Sequence, residues 1–109
     1  MKYEVRITEV ALNDLYAIYK YVAINDSPGK AEYLIDNIHK AMTSLETMPV
    51  RGNHPPEMQR LGITDFREIF FKPYCIIYET KGKTVFIHAV LDGRRNCEDL
   101  LQQRLLETQ

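Results

Sequence analysis

The chain of 109 residues has no tryptophan, two cysteines, five glycines and five prolines, and each shortage removes a class of protein. Cys75 and Cys97 are too few for the disulfide framework of a small secreted domain. They show no CxxC or Cys/His spacing suited to zinc, so both read as free thiols in a reducing cytoplasm. Glycine and proline are too sparse for a low-complexity chain. No apolar run approaches the roughly 18 residues of a membrane span, and the opening MKYEVRITEV alternates too regularly, with too many charges, to be a signal-peptide core. A formal charge of -1 denies the molecule polyelectrolyte character, so any attraction to nucleic acid must be local. GxSxG, P-loop and GxGxxG motifs are absent, and His39, His54 and His88 share no metal-compatible spacing. Hydrolase, nucleotide-binding and metal-enzyme readings therefore lack support, and no cofactor or metal is expected.

What is present is globular: 45% apolar and 27% charged residues, in a length that fits one domain with one core. Residues 2–8 alternate Tyr3, Val5, Ile7 with Lys2, Glu4, Arg6, the period of a strand with one buried face. Ala11, Leu15, Ile18 and Val22 then recur at helical spacing, with Thr8 as N-cap, up to about Asn25. Ser27-Pro28 starts a second helix, whose stripe Ala31, Leu34, Ile35, Ile38, Ala41, Met42, Leu45 runs to Met48-Pro49. The stretch from Pro49 to Thr64 holds too many breakers for an element longer than a turn. Three strands follow over 65–71, 74–80 and 84–91, separated by Lys72-Pro73 and Lys81-Gly82-Lys83, gaps that suit antiparallel hairpins. Asn96 caps a last helix over Cys97–Leu106 with Leu100, Leu101 and Leu105 on one stripe. The order βααβββα predicts an α+β domain whose helical hairpin covers one face of a small antiparallel sheet.

Charge is unevenly divided. Residues 1–50 carry five basic and seven acidic groups, residues 51–95 eight and five, and residues 96–109 one and three, so the sheet half is the basic part. Arg67, Lys72, Lys81, Lys83, Arg94 and Arg95 are the candidates for an anion-facing surface, because arginine holds phosphate or carboxylate with a two-pronged contact. The bland alternative is that they are solvated charges protecting sheet edges. Phe66, Phe70, Phe71, Tyr74, Tyr78 and Phe86 interleave with them as a base-stacking surface requires, although alternation makes the tyrosines packing groups with hydroxyls at an edge. His88, in an apolar strand, reads as a hydrogen-bonded structural residue, and Cys75, among Tyr and Ile, as a small buried side chain.

The segments ALNDLYAIYKYV, AEYLIDNIHKAMTSLETMPVRG, LGITDFREIFFKPYCIIYE and VFIHAVLDGRRN combine P-x-R-G after helix two, G-x-x-x-F-R-E, P-Y-x-I-I-Y and G-R-R in order. By these motifs the chain resembles the RelE/ParE superfamily of type II toxin-antitoxin modules, more closely the ParE branch. The resemblance implies a toxin, of the sort that stabilises plasmids or prophages. A cognate antitoxin with a DNA-binding N-terminal domain would neutralise it, wrapping the toxin with a disordered C-terminal tail and bringing it to operator DNA only indirectly.

RelE-like relatives cut ribosome-bound messenger RNA, whereas ParE-like relatives inhibit DNA gyrase without being enzymes. For RNA cleavage Arg67 and Arg95 match two basic groups, but Tyr74-Cys75 replaces Tyr-Arg, Ile69 stands where a lysine is expected, and 97–109 holds no tyrosine. The reading that follows is a gyrase-inhibiting toxin with no catalytic residues. A ribosome-dependent endonuclease, or a degenerate toxin serving as antitoxin-binding corepressor, are the alternatives. Arg67, Tyr74, Arg94, Arg95 and Arg104 are the expected target-binding residues, the last beside Leu101 and Leu105. Tyr16, Tyr19 and Tyr33, off the core stripes, are the expected antitoxin contacts.

Overall fold

The computed structural model describes residues 2–93. Strand β1 is Glu4–Ile7, helices α1 and α2 are Glu9–Asn25 and Pro28–Thr43, and a 3₁₀ turn, Ser44–Glu46, ends the hairpin. Helix α3 is Pro56–Arg60, and β2, β3 and β4 are Phe66–Phe71, Tyr74–Lys81 and Thr84–Asp92. The two caps that define the hairpin form as expected. The Thr8 side chain accepts from Ala11 N, and that of Ser27 accepts from Lys30 N with Pro28 in the first turn. The breaker-rich stretch is more ordered than its composition suggests. Pro56 opens the short α3, because proline at the first helical position gives up a donor that no helix uses.

Sheet order is β1-β4-β3-β2. The meander β2-β3-β4 is antiparallel as expected, but β1 lies parallel to β4, Glu4 opposite Thr84 through Ile7 opposite Ile87, so the sheet is mixed rather than wholly antiparallel. A parallel neighbour needs a long crossover, and the helical hairpin is part of one.

Register slips once. Ile77 pairs with Ala89 but Tyr78 pairs with Ile87, which leaves His88 as the extra residue of a β-bulge. The bulge turns β4 over. Val85, Ile87 and Val90 join the cluster under the hairpin with Ala11, Ile38, Met42, Leu45, Ile69, Tyr74, Ile76 and Tyr78. Ala89 and Leu91 join Met58, Cys75 and Ile77 on the opposite face. Strand β3 is thus buried on both faces from Tyr74 to Tyr78, which accounts for its unbroken apolar run.

Candidate functional site

Arg67 sits on the hairpin side of β2, opposite Tyr78. Its Nη1 donates to the carbonyl of Gly52 at 2.8 Å and to that of Val50 at 3.4 Å, so the guanidinium clamps the loop leaving the hairpin. Gly52 N–H in turn donates to the Tyr78 hydroxyl at 3.0 Å. Only glycine fits there, because a Cβ at position 52 would stand 2.6 Å from both the Glu68 carbonyl oxygen and the Tyr78 hydroxyl. Arg51 points elsewhere, its Nε donating to Ser44 Oγ at 2.9 Å. Burial raises the Tyr78 hydroxyl above the ordinary tyrosine range, opposed by the Gly52 N–H and by the charges of Arg67 and Arg51. The P-x-R-G segment is a structural joint first. Half-buried Arg67 spends one nitrogen on it, and among the described residues nothing takes its Nε and Nη2 donors.

The other sheet face has a different character. The Cys75 thiol donates to Glu68 Oε2 at 3.2 Å, and Glu68 is only 9% exposed, its main chain exchanging hydrogen bonds with Asn53. Arg67 and Cys75 therefore lie on opposite faces of the sheet, and neither side chain's hydrogen bonds involve the other. Tyr74 shares the hairpin side with Arg67 but is 5% exposed, a packing position within the core. Among the described residues, the interior of the face with Cys75 presents an acid and a thiol where phosphate chemistry needs cations.

Lower on that face, His88 Nε2 lies 3.0 Å from Glu79 Oε1, and Lys81 Nζ lies 3.8 Å from the same oxygen. The His88 ring meets Phe66 edge-on at 5.5 Å. That is the structural histidine the sequence suggested. Around the edge of β2, Val50, His54, Thr64, Asp65, Arg67, Glu79, Thr80 and Lys81 line a cleft of about 430 Å³. His54 Nδ1 lies 3.0 Å from the Phe66 carbonyl, which can only accept, so Nδ1 carries the hydrogen and Nε2 is left as an acceptor in the neutral ring. Sequence reasoning missed this cleft, since it joins a loop, a strand edge and a hairpin end that no local pattern connects.

On the hairpin, Tyr16 is 68% and Tyr33 67% exposed, while Tyr19 is half-buried. Leu12, Tyr21 and Ile24 are exposed as well, residues the sequence reading did not single out. Helical spacing puts Leu12, Tyr16 and Ile24 on the side of α1 away from Ala11, Leu15, Ile18 and Val22, so α1 carries apolar side chains on both sides, the outer ones beside exposed Asn13 and Lys20. Arg94, Arg95 and Arg104, with the expected helix Cys97–Leu106, lie outside the described residues. The chain runs toward them from a pinned point: Gly93 N–H donates to Pro73 O at 2.7 Å, and a Cβ there would come within 2.6 Å of that oxygen.

The family model for the ParE toxin of type II toxin-antitoxin system, parDE, matches residues 5–97. The chain belongs to the ParE toxin family. Its fold is similar to a chain of the chromosomal ParDE toxin-antitoxin system from P. aeruginosa, with a TM-score of 0.68 and 22% identity over 82% of this chain and 94% of that one. No curated protein matches the sequence significantly. Membership of the ParE family makes this a toxin-antitoxin protein and implies an antitoxin partner. Among the described residues no group of three or more His, Cys, Asp or Glu is placed to hold a metal, and no helix is long and apolar enough to cross a membrane.

Proposed function

We propose that this ParE-family toxin acts in the cytoplasm by inhibiting DNA gyrase, and so replication and growth, without catalysing a reaction of its own. A cognate antitoxin holds it inactive. Family membership over residues 5–97 carries the reading, and the pairing of Cys75 with Glu68 supports it against RNA cleavage. A ribonuclease on that face would have to hold a scissile phosphate beside a buried carboxylate and without the strand arginine, a loss worth orders of magnitude in rate.

For the target surface we propose Arg67, through the donors left over from its loop contacts, together with Arg94, Arg95 and Arg104. Tyr74 supports the Arg67 strand from inside. For the antitoxin we propose the outer hairpin face, Tyr16 and Tyr33 with Tyr19 at its border and Leu12, Tyr21 and Ile24 added. Apolar side chains two-thirds exposed suit a tail that folds as it binds. The antitoxin's own N-terminal domain would contact operator DNA.

The test is a gyrase supercoiling assay on toxin freed of antitoxin, with relaxed plasmid, ATP and an Arg95→Ala control. Loss of supercoiling with accumulation of linear, protein-linked DNA, reversed by antitoxin, is the expected result. Unimpaired supercoiling by a chain that still arrests growth would transfer the activity to the ribosome.

A further inference from the structure

The cleft at the β2 edge has a chemistry that gyrase inhibition does not call for. Arg67 enters it already anchored. With Nη1 held by the Gly52 and Val50 carbonyls, the guanidinium loses little further freedom on binding a ligand, and its Nε–H and Nη2 donors form the two-pronged edge that grips an oxyanion. Lys81, whose Nζ stands 3.8 Å from Glu79 Oε1 on the other sheet face, lines the same cleft where it rounds the strand edge, with its side chain 68% exposed, and Thr64 and Thr80 line it as well. A two-pronged arginine edge, an ammonium and two hydroxyls suit the three terminal oxygens of a phosphate monoester.

The acidic groups of the cleft differ in their engagement. Glu79 is largely buried, with His88 Nε2 at 3.0 Å and Lys81 Nζ at 3.8 Å from one of its oxygens. Asp65 is exposed, and with the free Nε2 of His54 it gives the cleft acceptors for hydroxyl or amino hydrogens, while exposed Val50 supplies an apolar wall. Cations and hydroxyls for a phosphate, acceptors for hydroxyls or amines and an apolar wall describe a small phosphorylated molecule carrying a polar ring system. A volume of about 430 Å³ falls within the range of roughly 300–1,000 Å³ found for small-ligand clefts.

We propose that the cleft between Arg67, Lys81, Thr64 and Thr80 binds a small phosphate monoester of nucleotide size. The site shares Arg67 with the proposed gyrase surface, but its test reads ligand binding directly, so either reading can fail while the other stands.

The full chain, uniformly ¹⁵N-labelled, is titrated with AMP and separately with adenosine while amide resonances are followed. AMP should give saturable shifts at Thr64, Asp65, Arg67, Thr80 and Lys81, and bind at least about tenfold more tightly than adenosine. Because Arg67 also holds the loop, its replacement could disturb the fold, so the deciding variants lie elsewhere. Lys81→Ala and Thr80→Val should each weaken AMP by roughly three- to tenfold with the rest of the spectrum preserved, and Asp65→Asn should tighten it by roughly threefold. Equal responses to AMP and adenosine, saturable shifts confined to other residues, no saturable shift, or AMP binding unchanged in all three variants would each overturn the proposal.

Discussion

The Asp14 carboxylate on α1 accepts the backbone N–H of Val90 on β4 at 3.0 Å. Strand β1 pairs only with Thr84–Ile87, so Val90 lies beyond its end, and α1 supplies the acceptor that a longer strand would have provided. Val90 is buried, which makes this donor costly to abandon. Asp14→Ala should lower unfolding stability by about 1.5–3 kcal/mol in a urea titration, and Asp14→Asn, which keeps an oxygen acceptor, by less.

Gly52→Ala is expected to be among the most damaging single-methyl changes in the chain. The added Cβ would sit 2.6 Å from a backbone oxygen and from the buried Tyr78 hydroxyl, neither of which is the free end of a flexible side chain. A loss of about 2 kcal/mol or more follows, visible as a drop in thermal midpoint without loss of helical circular dichroism at low temperature.

Tyr78 gives stability an alkaline dependence. Its hydroxyl is raised above the ordinary tyrosine value of 10.0, so as pH climbs past 10 the unfolded chain releases this proton first and holds fewer protons than the folded one. Stability from this group is fully present below pH 10 and declines as pH rises through the raised folded value. Tyr78→Phe removes the proton in question, so the variant should lose less stability than the wild type between pH 9 and roughly pH 11 in parallel urea titrations. Equal losses would show that the hydroxyl is not shielded as the structure has it.

Tyr16→Ala and Ile24→Asp test the hairpin surface. The two positions are 68% and 72% exposed, and neither belongs to the core, so unfolding stability should change by less than about 0.5 kcal/mol. If the antitoxin tail docks there, its Kd should weaken by tenfold or more for at least one of them, as interface aromatics do.

Cys75 should be chemically silent in the native state. It is buried and hydrogen-bonded to Glu68, so in a Cys97→Ser background a thiol reagent should react far more slowly with the folded chain than with the same chain in urea.

Local signals were readable wherever a residue acts on its own neighbours. Thr8 and Ser27-Pro28 announce their helices because a cap works within three residues, and the alternation of Tyr74 to Glu79 separates two faces of β3 because pleating has a period of two. The bulge at His88 was hidden, since Val85 to Leu91 is apolar at every position but His88, so the sequence carries no mark of the change of face that appears when β4 meets β3. Arg67 was legible as a cation and illegible as a clamp. Its partners are carbonyls of Val50 and Gly52, and main-chain acceptors carry no residue signature. The parallel β1–β4 pair escaped for the same reason, as strand order is decided by which edge remains when the meander is complete.

That pairing also sets an order of events during synthesis. Glu4 is made well before its partner Thr84, which lies 80 positions later, so β1 has no place to go until β4 emerges. Until then, the hairpin has only an incomplete sheet to cover, and the apolar groups of β3 lack the neighbour that shields them on the β4 side. A chain interrupted before residue 84 thus loses the pairing of its first strand along with its last strand, and two stretches far apart in the sequence fold or fail together.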